Sequence, residues 1–457
     1  MKKNELKLIV ILLISSIISA SAQESWTNLV SGSSLKGWKQ LNGTAHYEAR
    51  DGQVVGTTVL GSPNSFLCTV KEYGDFILEY EAWVDPSLNS GVQIRSHSLK
   101  EYQNGRVHGY QVEIDPSERA WSAGIYDEAR RAWLYTLEGN TAAQKAFRQN
   151  QWNHYRVEAI GHSIRTWING VPAANLTDDL DASGFIGLQV HGVGNDPAKA
   201  GIQVKWRNIR IMTTNLEMNR WFMPGWVREI STIPNTLTRD EVREGWSLLW
   251  DGQSTAGWRG ADQAGFPQSG WEIRDRLLTV IESGGGESSQ GGDIVTIEQF
   301  SDFELSVDFL LTKGANSGIK YMVAEGLNRG VGSSIGLEYQ LLDDANHPDA
   351  AQGVGGNRTL ASLYDLIPAS ADKPVNPTGQ WNNARLVVNG NHVEHWLNGR
   401  KVVEYERNNQ LFNALVQKSK YSVYPGFGNA PEGHILLQDH GNRVSFKNIK
   451  IKTTPRK

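Results

Sequence analysis

Apolar and polar positions alternate with a period of two over long stretches of this chain. From Asp75 to Val84 the residues Phe76, Leu78, Tyr80, Ala82 and Val84 share one face. From Asp302 to Leu311, Phe303, Leu305, Val307, Phe309 and Leu311 do the same, opposite Glu304, Ser306 and Asp308. Successive side chains of a strand point to opposite faces, so these runs predict half-buried strands. Asn169-Gly170 and Asn398-Gly399 each separate two alternating runs, a strong hairpin signal because a two-residue turn needs positive φ at both positions. Helical periodicity is sparse. Short strands broken by Gly and Asn turns predict antiparallel β-sandwiches of jelly-roll type.

The pattern occurs twice. WTNLVSGSSLKGW (Trp26 to Trp38) is echoed by WSLLWDGQSTAGW (Trp246 to Trp258), and Ser90-Gly91 and Gly109 match Ser317-Gly318 and Gly336 at a constant offset of 227. WNHYRVEAIGHSIRTWING (Trp152 to Gly170) matches WNNARLVVNGNHVEHWLNG (Trp381 to Gly399), and WRNIRI (Trp206 to Ile211) matches FKNIKI (Phe446 to Ile451). A period above 200 means a duplicated domain, since solenoid repeats are a few tens of residues long. The expected division is a leader over 1–22, a first sandwich over 23–214, a linker over 215–243 and a second sandwich over 244–457. The linker holds Trp221, Phe222, Met223 and Trp226, then Thr238 and Glu241 spaced as a capping box. So many large apolar groups predict a linker packed against one or both domains, with one short helix.

Composition narrows the function classes. Lys2, Lys3 and Lys7 precede an apolar run from Leu8 to Ile18 and the small residues Ala20-Ser21-Ala22, the pattern of a secretory signal peptide. That run is too short to span a bilayer, and no other segment reads as a membrane span. The expectation is an exported protein, periplasmic or secreted. The formal charge of −4 makes nucleic acid an improbable partner. The lone Cys68, among Phe66, Leu67 and Val70, reads as a buried small hydrophobe. The 16 tryptophans serve either as core or as platforms for sugar rings.

The candidate chemistry lies on equivalent strands. GYQVEIDPSERAW (Gly109 to Trp121) is expected to place Gln111, Glu113 and Asp115 on one strand face, and GLEYQLLDD (Gly336 to Asp344) sets Glu338 opposite Gln111 and Gln340 opposite Glu113. Each copy thus offers a carboxylate and a carboxamide two residues apart, able to hold a polar ligand; a solvated outer face is the plain alternative. Tyr126-Asp127 matches Tyr364-Asp365, and Arg130 and Arg131 follow in the first copy, where an arginine near Glu113 would keep it ionised. Histidines separate the copies: Thr166 stands in the place of His395. His395 shares a face with Val393 and Leu397, so it is either a groove residue or a core histidine. Gln438, Asp439 and His440 answer Gln189 and His191. Glu338, His395 and His440 are candidate ligands for a divalent metal ion, and no organic cofactor is expected. Glu113, Asp115 and Glu118 spell E-x-D-x-x-E, similar to the catalytic strand of laminarinase-type retaining glucanases, although Pro116 interrupts it.

Taken as an ordered set, the S-x-x-GW opening, the Asn-Ser-Gly strand, the paired acid and amide, Tyr-Asp, and H-x-x-HWLNG ending in K/R-N-I-x-I resemble the 3-keto-disaccharide hydrolase family in two tandem copies. The resemblance implies a concanavalin-like jelly-roll sandwich, export, and cleavage of glycosides oxidised at C3. It implies a groove on the concave sheet lined by Asn316, Lys320, Glu338, Gln340, Tyr364, Asp365, His395, Gln438 and His440. A C3 ketone acidifies the C2 proton, so a base can remove it and the enolate expels the aglycone from C1 before water adds. Glu338 or His395 is then the base; Lys320, Tyr364 or a bound cation polarises the ketone. Gln93 and Thr166 stand where Lys320 and His395 would be, so the second copy is expected to carry the reaction. The first is expected to bind sugar or run a variant through Gln111, Glu113, Asp115, Asp127 and Arg130. A laminarinase-like glycosidase and a tandem non-catalytic carbohydrate-binding protein are the competing readings.

Overall fold

The computed structural model describes residues 26–288, 290–324, 327 and 333–454; the leader over 1–22 lies outside them. The chain divides into two compact units, one of residues 1–175 and 180–227 and the other of 176–179 and 228–457. Each is a concanavalin-like jelly-roll β-sandwich.

In the second unit, one sheet runs in the order Trp271–Arg274, Leu277–Val280, Val444–Thr453, Phe303–Leu311, Trp381–Asn389, His392–Leu397, Arg400–Glu406. The other is five-stranded: Trp258–Gly260, Ile294–Thr296, His434–Leu437, Asn316–Val323, Leu337–Leu342. Phe303, Leu305, Val307 and Phe309 of the first sheet meet Ile319, Tyr321, Leu337, Tyr339 and Leu341 of the second in one core. Period-two alternation then fixes the opposite face of the five-stranded sheet: Asn316, Gly318, Lys320, Glu338 and Gln340 all point away from the core.

The first unit repeats this plan. Phe76–Val84 pairs with Asn153–Ile160 and Gln203–Met212 as Phe303–Leu311 pairs with Trp381–Asn389 and Val444–Thr453. The strands Ser90–His97 and His108–Ile114 set Gln93 opposite Gln111, just as Lys320 stands opposite Glu338. Even the irregularity recurs: Arg95 and Met322, 227 positions apart, both have positive φ where the ladder shifts register.

Both Asn-Gly turns are present, with Asn169 and Gly170 at φ 49° and 80° and Asn398 and Gly399 at 47° and 81°. Thr238 caps the helix Arg239–Arg243 in a complete capping box with Glu241. The linker is packed: Val227, Asn235 and Thr238 are buried, and Asn235 and Asn448 exchange hydrogen bonds with each other's backbone N–H. Trp221 lies edge-on to Trp167 under the Arg156 guanidinium, but Phe222 and Trp226 are 82% and 59% exposed. An unanticipated helix, Gln410–Lys418, is capped by Asn409 and buries Phe412 and Val416. Cys68 is buried.

Candidate active site

Lys320 and Glu338, directly opposed on neighbouring strands, form the floor of a cavity of about 350 Å³ in the second unit. Asn316, Gln340 and Gln438 extend the floor; Tyr364, Lys420, Tyr421 and Tyr424 form a wall, and Glu287 and His440 also line the cavity. Gly318 makes the arrangement possible, because a Cβ there would sit 2.5 Å from the Glu338 Oε1. Lys420, Tyr421 and Tyr424 of the wall come from the turn after the Gln410–Lys418 helix: Tyr421 stacks on Phe427 and its hydroxyl donates to Glu338 Oε2 at 3.3 Å.

The electrostatics centre on the buried Lys320. Its Nζ lies 3.3 Å from Asp293 Oδ2 and 3.8 Å from Glu287 Oε1, and donates to the Ser334 carbonyl at 3.3 Å. Burial works to lower its pKa, but Asp293, Glu338 and Glu287 outweigh burial and hold it above the ordinary lysine value. Burial pushes the Asp293 carboxyl up, against the pull of Lys320. At Glu287, partial burial is overcome by Lys320, Lys420 and His440, which keep the carboxyl below its usual range. Lys320 is therefore a cation at neutral pH, in a place where water screens it poorly.

Three polar atoms in this lining have no partner: Gln340 Oε1, Gln438 Oε1 and His440 Nδ1. Buried polar atoms are costly to leave unpaired, so convergent orphans mark a place where ligand hydroxyls complete the hydrogen bonding.

Of the residues expected in the groove, Asn316, Lys320, Glu338, Gln340, Tyr364, Gln438 and His440 converge on this cavity. His395 does not. It lies on the other sheet with its ring in the core, fully buried, Nδ1 at 2.9 Å from the Ala361 carbonyl and Nε2 at 2.8 Å from the Tyr321 hydroxyl. Of its two open readings, the core histidine holds. The expected metal set of Glu338, His395 and His440 is therefore not assembled. Among the described residues, the close donor group is instead His392, Glu394 and Glu404 on the far sheet. Among the described residues, the cavity's own donors do not form a cage; its floor is organised around the Lys320 ammonium. Asp365 also stays out of the cavity. It accepts from Arg358 Nε at 2.8 Å and the Lys420 backbone N–H at 2.9 Å, so it ties two wall segments together. Tyr364 presents its ring, since its hydroxyl donates to Asp349 at 2.8 Å.

Sequence reasoning missed Glu287, Asp293, Lys420, Tyr421 and Tyr424. Asn409 before Phe412 and Val416 is a legible cap and apolar pair that announces the helix leading to the tyrosines. The glycine-rich stretch carrying Glu287 gives no periodic signal.

The first unit has its own cavity at the equivalent place, about 340 Å³, lined by Asn89, Gln111, Glu113, Gln189, His191, Tyr126 and Trp133 among others. Asn89 Nδ2 and Gln111 Nε2 donate to the two Glu113 oxygens at 2.5 and 2.8 Å. Burial, with Asp115 adding to it, raises the Glu113 carboxyl to about 7 against those hydrogen bonds and Arg119. The strand ends at Ile114, and Asp115 just beyond it accepts from Arg119 Nε at 2.8 Å. Glu118 is exposed in the following turn, which breaks up the E-x-D-x-x-E set. Asp127 and Arg130 form a separate buried ion cluster with Asp181, away from the cavity, and the arginine near Glu113 is Arg119, at 3.9 Å.

Two jelly-roll sandwiches, each with a cavity of carboxylate, amide and aromatic groups on the same sheet face, define a carbohydrate-active β-sandwich protein. Residues 25–212 and 245–452 both match the 3-keto-alpha-glucoside-1,2-lyase-like domain, and the chain belongs to that family of glycoside-acting enzymes. A 3-keto-disaccharide hydrolase of Bacteroides thetaiotaomicron is 38% identical over 46% of this chain and 78% of its own length. A crystallised Parabacteroides distasonis protein, described as a candidate glycosyl hydrolase, is 30% identical with TM-score 0.43, covering 49% of this chain and all of its own. A carbohydrate-binding module from Bacillus subtilis is 16% identical with TM-score 0.27, over 38% of this chain and 95% of that one.

Proposed function

We propose that the second unit cleaves glycosides already oxidised at C3 of the sugar, by elimination followed by hydration. The observation that carries the reading is the Lys320–Glu338 pair: a carboxylate and a buried cation, side by side in a cavity whose orphaned amide oxygens await hydroxyls. With His395 in the core and the Tyr364 hydroxyl engaged, Glu338 is the base that takes the C2 proton. The electron pair moves into the C2–C3 bond as the ketone oxygen becomes an enolate, which the Lys320 ammonium stabilises. The enolate then re-forms the ketone and expels the C1 oxygen, which leaves with a proton from His440. Water adds across the C1–C2 double bond, so the net change is hydrolysis. The B. thetaiotaomicron relative, named for a 3-keto-disaccharide, supports this substrate class. The leader pattern supports an exported protein acting outside the cytoplasm.

The test is to incubate the chain with a 3-keto-glucoside and with its unoxidised counterpart. Only the oxidised compound is expected to be cleaved. Lys320→Met is expected to lower kcat by about 10²–10³-fold and Glu338→Gln by about 10²–10⁴-fold. Cleavage of the plain glucoside sinks the reading. Loss of activity in Glu113→Gln with Glu338→Gln still active shows that the wrong copy was chosen.

A further inference from the structure

The first unit keeps the cavity but not its reactive pair. Where the second unit has Lys320 against Glu338, the first has Gln93 against Gln111, with Gln93 donating to Gln111 at 2.7 Å and Ser96 to Gln93 at 2.7 Å. Both oxygens of Glu113 are taken up by amide donors. A buried cation to stabilise an enolate is missing from that floor. The lining is nevertheless built for a ligand. Gln189, 1% exposed, aims an Oε1 with no partner at this cavity, and Trp133 stands edge-on to Tyr126 beside it.

The ionic groups here are already paired. Arg119 Nε holds Asp115 at 2.8 Å, and Arg106 Nη2 lies 3.6 Å from Glu128 Oε1. A neutral ligand therefore suits the cavity better than an anion. The space also continues: a second cavity of about 900 Å³ shares Asn64, Arg106, Glu128 and His191 with the first. The second unit's cavity around Lys320 and Glu338 is near the lower limit of ordinary ligand pockets, and the cavity adjoining the first unit's is near the upper one. Planar amides, carboxylates and aromatic rings along such a cleft match the alternating hydroxyl edges and apolar faces of sugar rings.

We infer that the first unit is a non-catalytic docking cleft for a neutral oligosaccharide of more than one ring, running from Gln189 and Trp133 past Arg106 into the adjoining cavity. That the cleft is non-catalytic rests on the reaction proposed for the second unit, whereas its capacity to hold sugar is read from its own lining.

The experiment is calorimetric titration of the full chain with glucose and with maltotetraose, cellotetraose and laminaritetraose. At least one tetraose is expected to bind one site per chain about tenfold or more tightly than glucose, a gap of about 1.4 kcal/mol. Trp133→Ala and Arg106→Ala are each expected to weaken it about tenfold, and Lys320→Met to leave it in place. Arg106 is a surface side chain, so its variant keeps the test open if Trp133→Ala does not fold. No binding of any tetraose, equal binding of glucose, or binding lost in Lys320→Met but kept in Arg106→Ala overturns the inference. Cleavage of the 3-keto-glucoside, assayed on the same samples, reports separately on the second unit.

Discussion

His395 and Glu113 show how burial turns similar sequence signals into opposite outcomes. Burial, against a hydrogen bond to the Ala361 carbonyl, pushes His395 down to about 4. Between about pH 4 and 6.5 the folded chain then binds fewer protons at this site than the unfolded one, so acid favours unfolding. The stability associated with neutral His395 is complete above about 6.5 and disappears as pH falls through about 4. His395→Ala is expected to cost about 2–4 kcal/mol in urea unfolding, because it leaves a void and strips the Tyr321 hydroxyl of a partner. The kcat of the molecules that stay folded should remain unchanged; a kcat loss above about tenfold would restore His395 as a catalytic residue. Glu113 behaves inversely. With its carboxyl raised to about 7, the folded chain binds more protons than the unfolded one between about 4.5 and 7. Stability therefore falls as pH rises through that window, by on the order of 3 kcal/mol in all. Glu113→Gln should flatten this slope when denaturation is repeated from pH 4.5 to 7.5, and an unchanged slope would refute the buried-acid account. The sequence placed His395 on the face of Val393 and Leu397, which is the buried face of a strand whose other positions are half-buried, but alternation alone does not tell whether that face meets a core or a groove.

At the scale of strands and turns, the alternation was readable because one face of each strand packs into a core. The five-stranded sheet is the informative exception. Every residue of Asn316–Val323 and Leu337–Leu342 is buried, yet alternate positions are polar because loops roof the outer face over the cavity. Asn316, Lys320, Glu338 and Gln340, polar at alternate positions on such strands, were therefore the legible signal of the site. The roof itself was not legible: Glu287 comes from an irregular glycine-rich segment and Lys420 from a short 3-10 turn, Lys420–Val423, and the placement of both is set by tertiary packing. Gly318 links strand to chemistry. A methyl group there presses on the Glu338 side chain from Cγ to Oε1, so the side chain and not the backbone must shift to admit it. Gly318→Ala is thus expected to keep its unfolding midpoint within about 1 kcal/mol of the parent while lowering kcat about tenfold or more, since a small misplacement of the base is severe. Equal kcat in the two chains would mean that Glu338 is not positioned by this contact. At the hairpin, Asn398 donates to the Pro374 carbonyl and Asn382 Oδ1 and accepts from the Asn383 N–H. Asn398→Gly keeps the positive φ but loses these bonds, so a loss of about 1–3 kcal/mol in denaturation would assign the turn's value to its side chain.

For the molecule as a whole, duplication was the most legible feature, because the constant offset of 227 survives as identical strand limits at Phe76–Val84 and Phe303–Leu311. Comparing the copies then located the chemistry better than any single motif did: the acid and amide exchange places, and only one copy has a lysine behind its acid. The E-x-D-x-x-E string misled because sequence spacing does not reveal where a strand stops. The residues of the second sandwich bury a contiguous core of their own, from Trp250 to Ile451, which is the physical requirement for folding alone. Residues 228–457 expressed without the rest are therefore expected to unfold cooperatively and to cleave the small 3-keto-glucoside with kcat within about twofold of the full chain. Residues 26–227 are expected to show no cleavage. A folded but inactive 228–457 would mean that the first sandwich contributes to the reaction itself and not to binding alone, and would overturn the division of labour drawn from the Lys320–Glu338 and Gln93–Gln111 pairs.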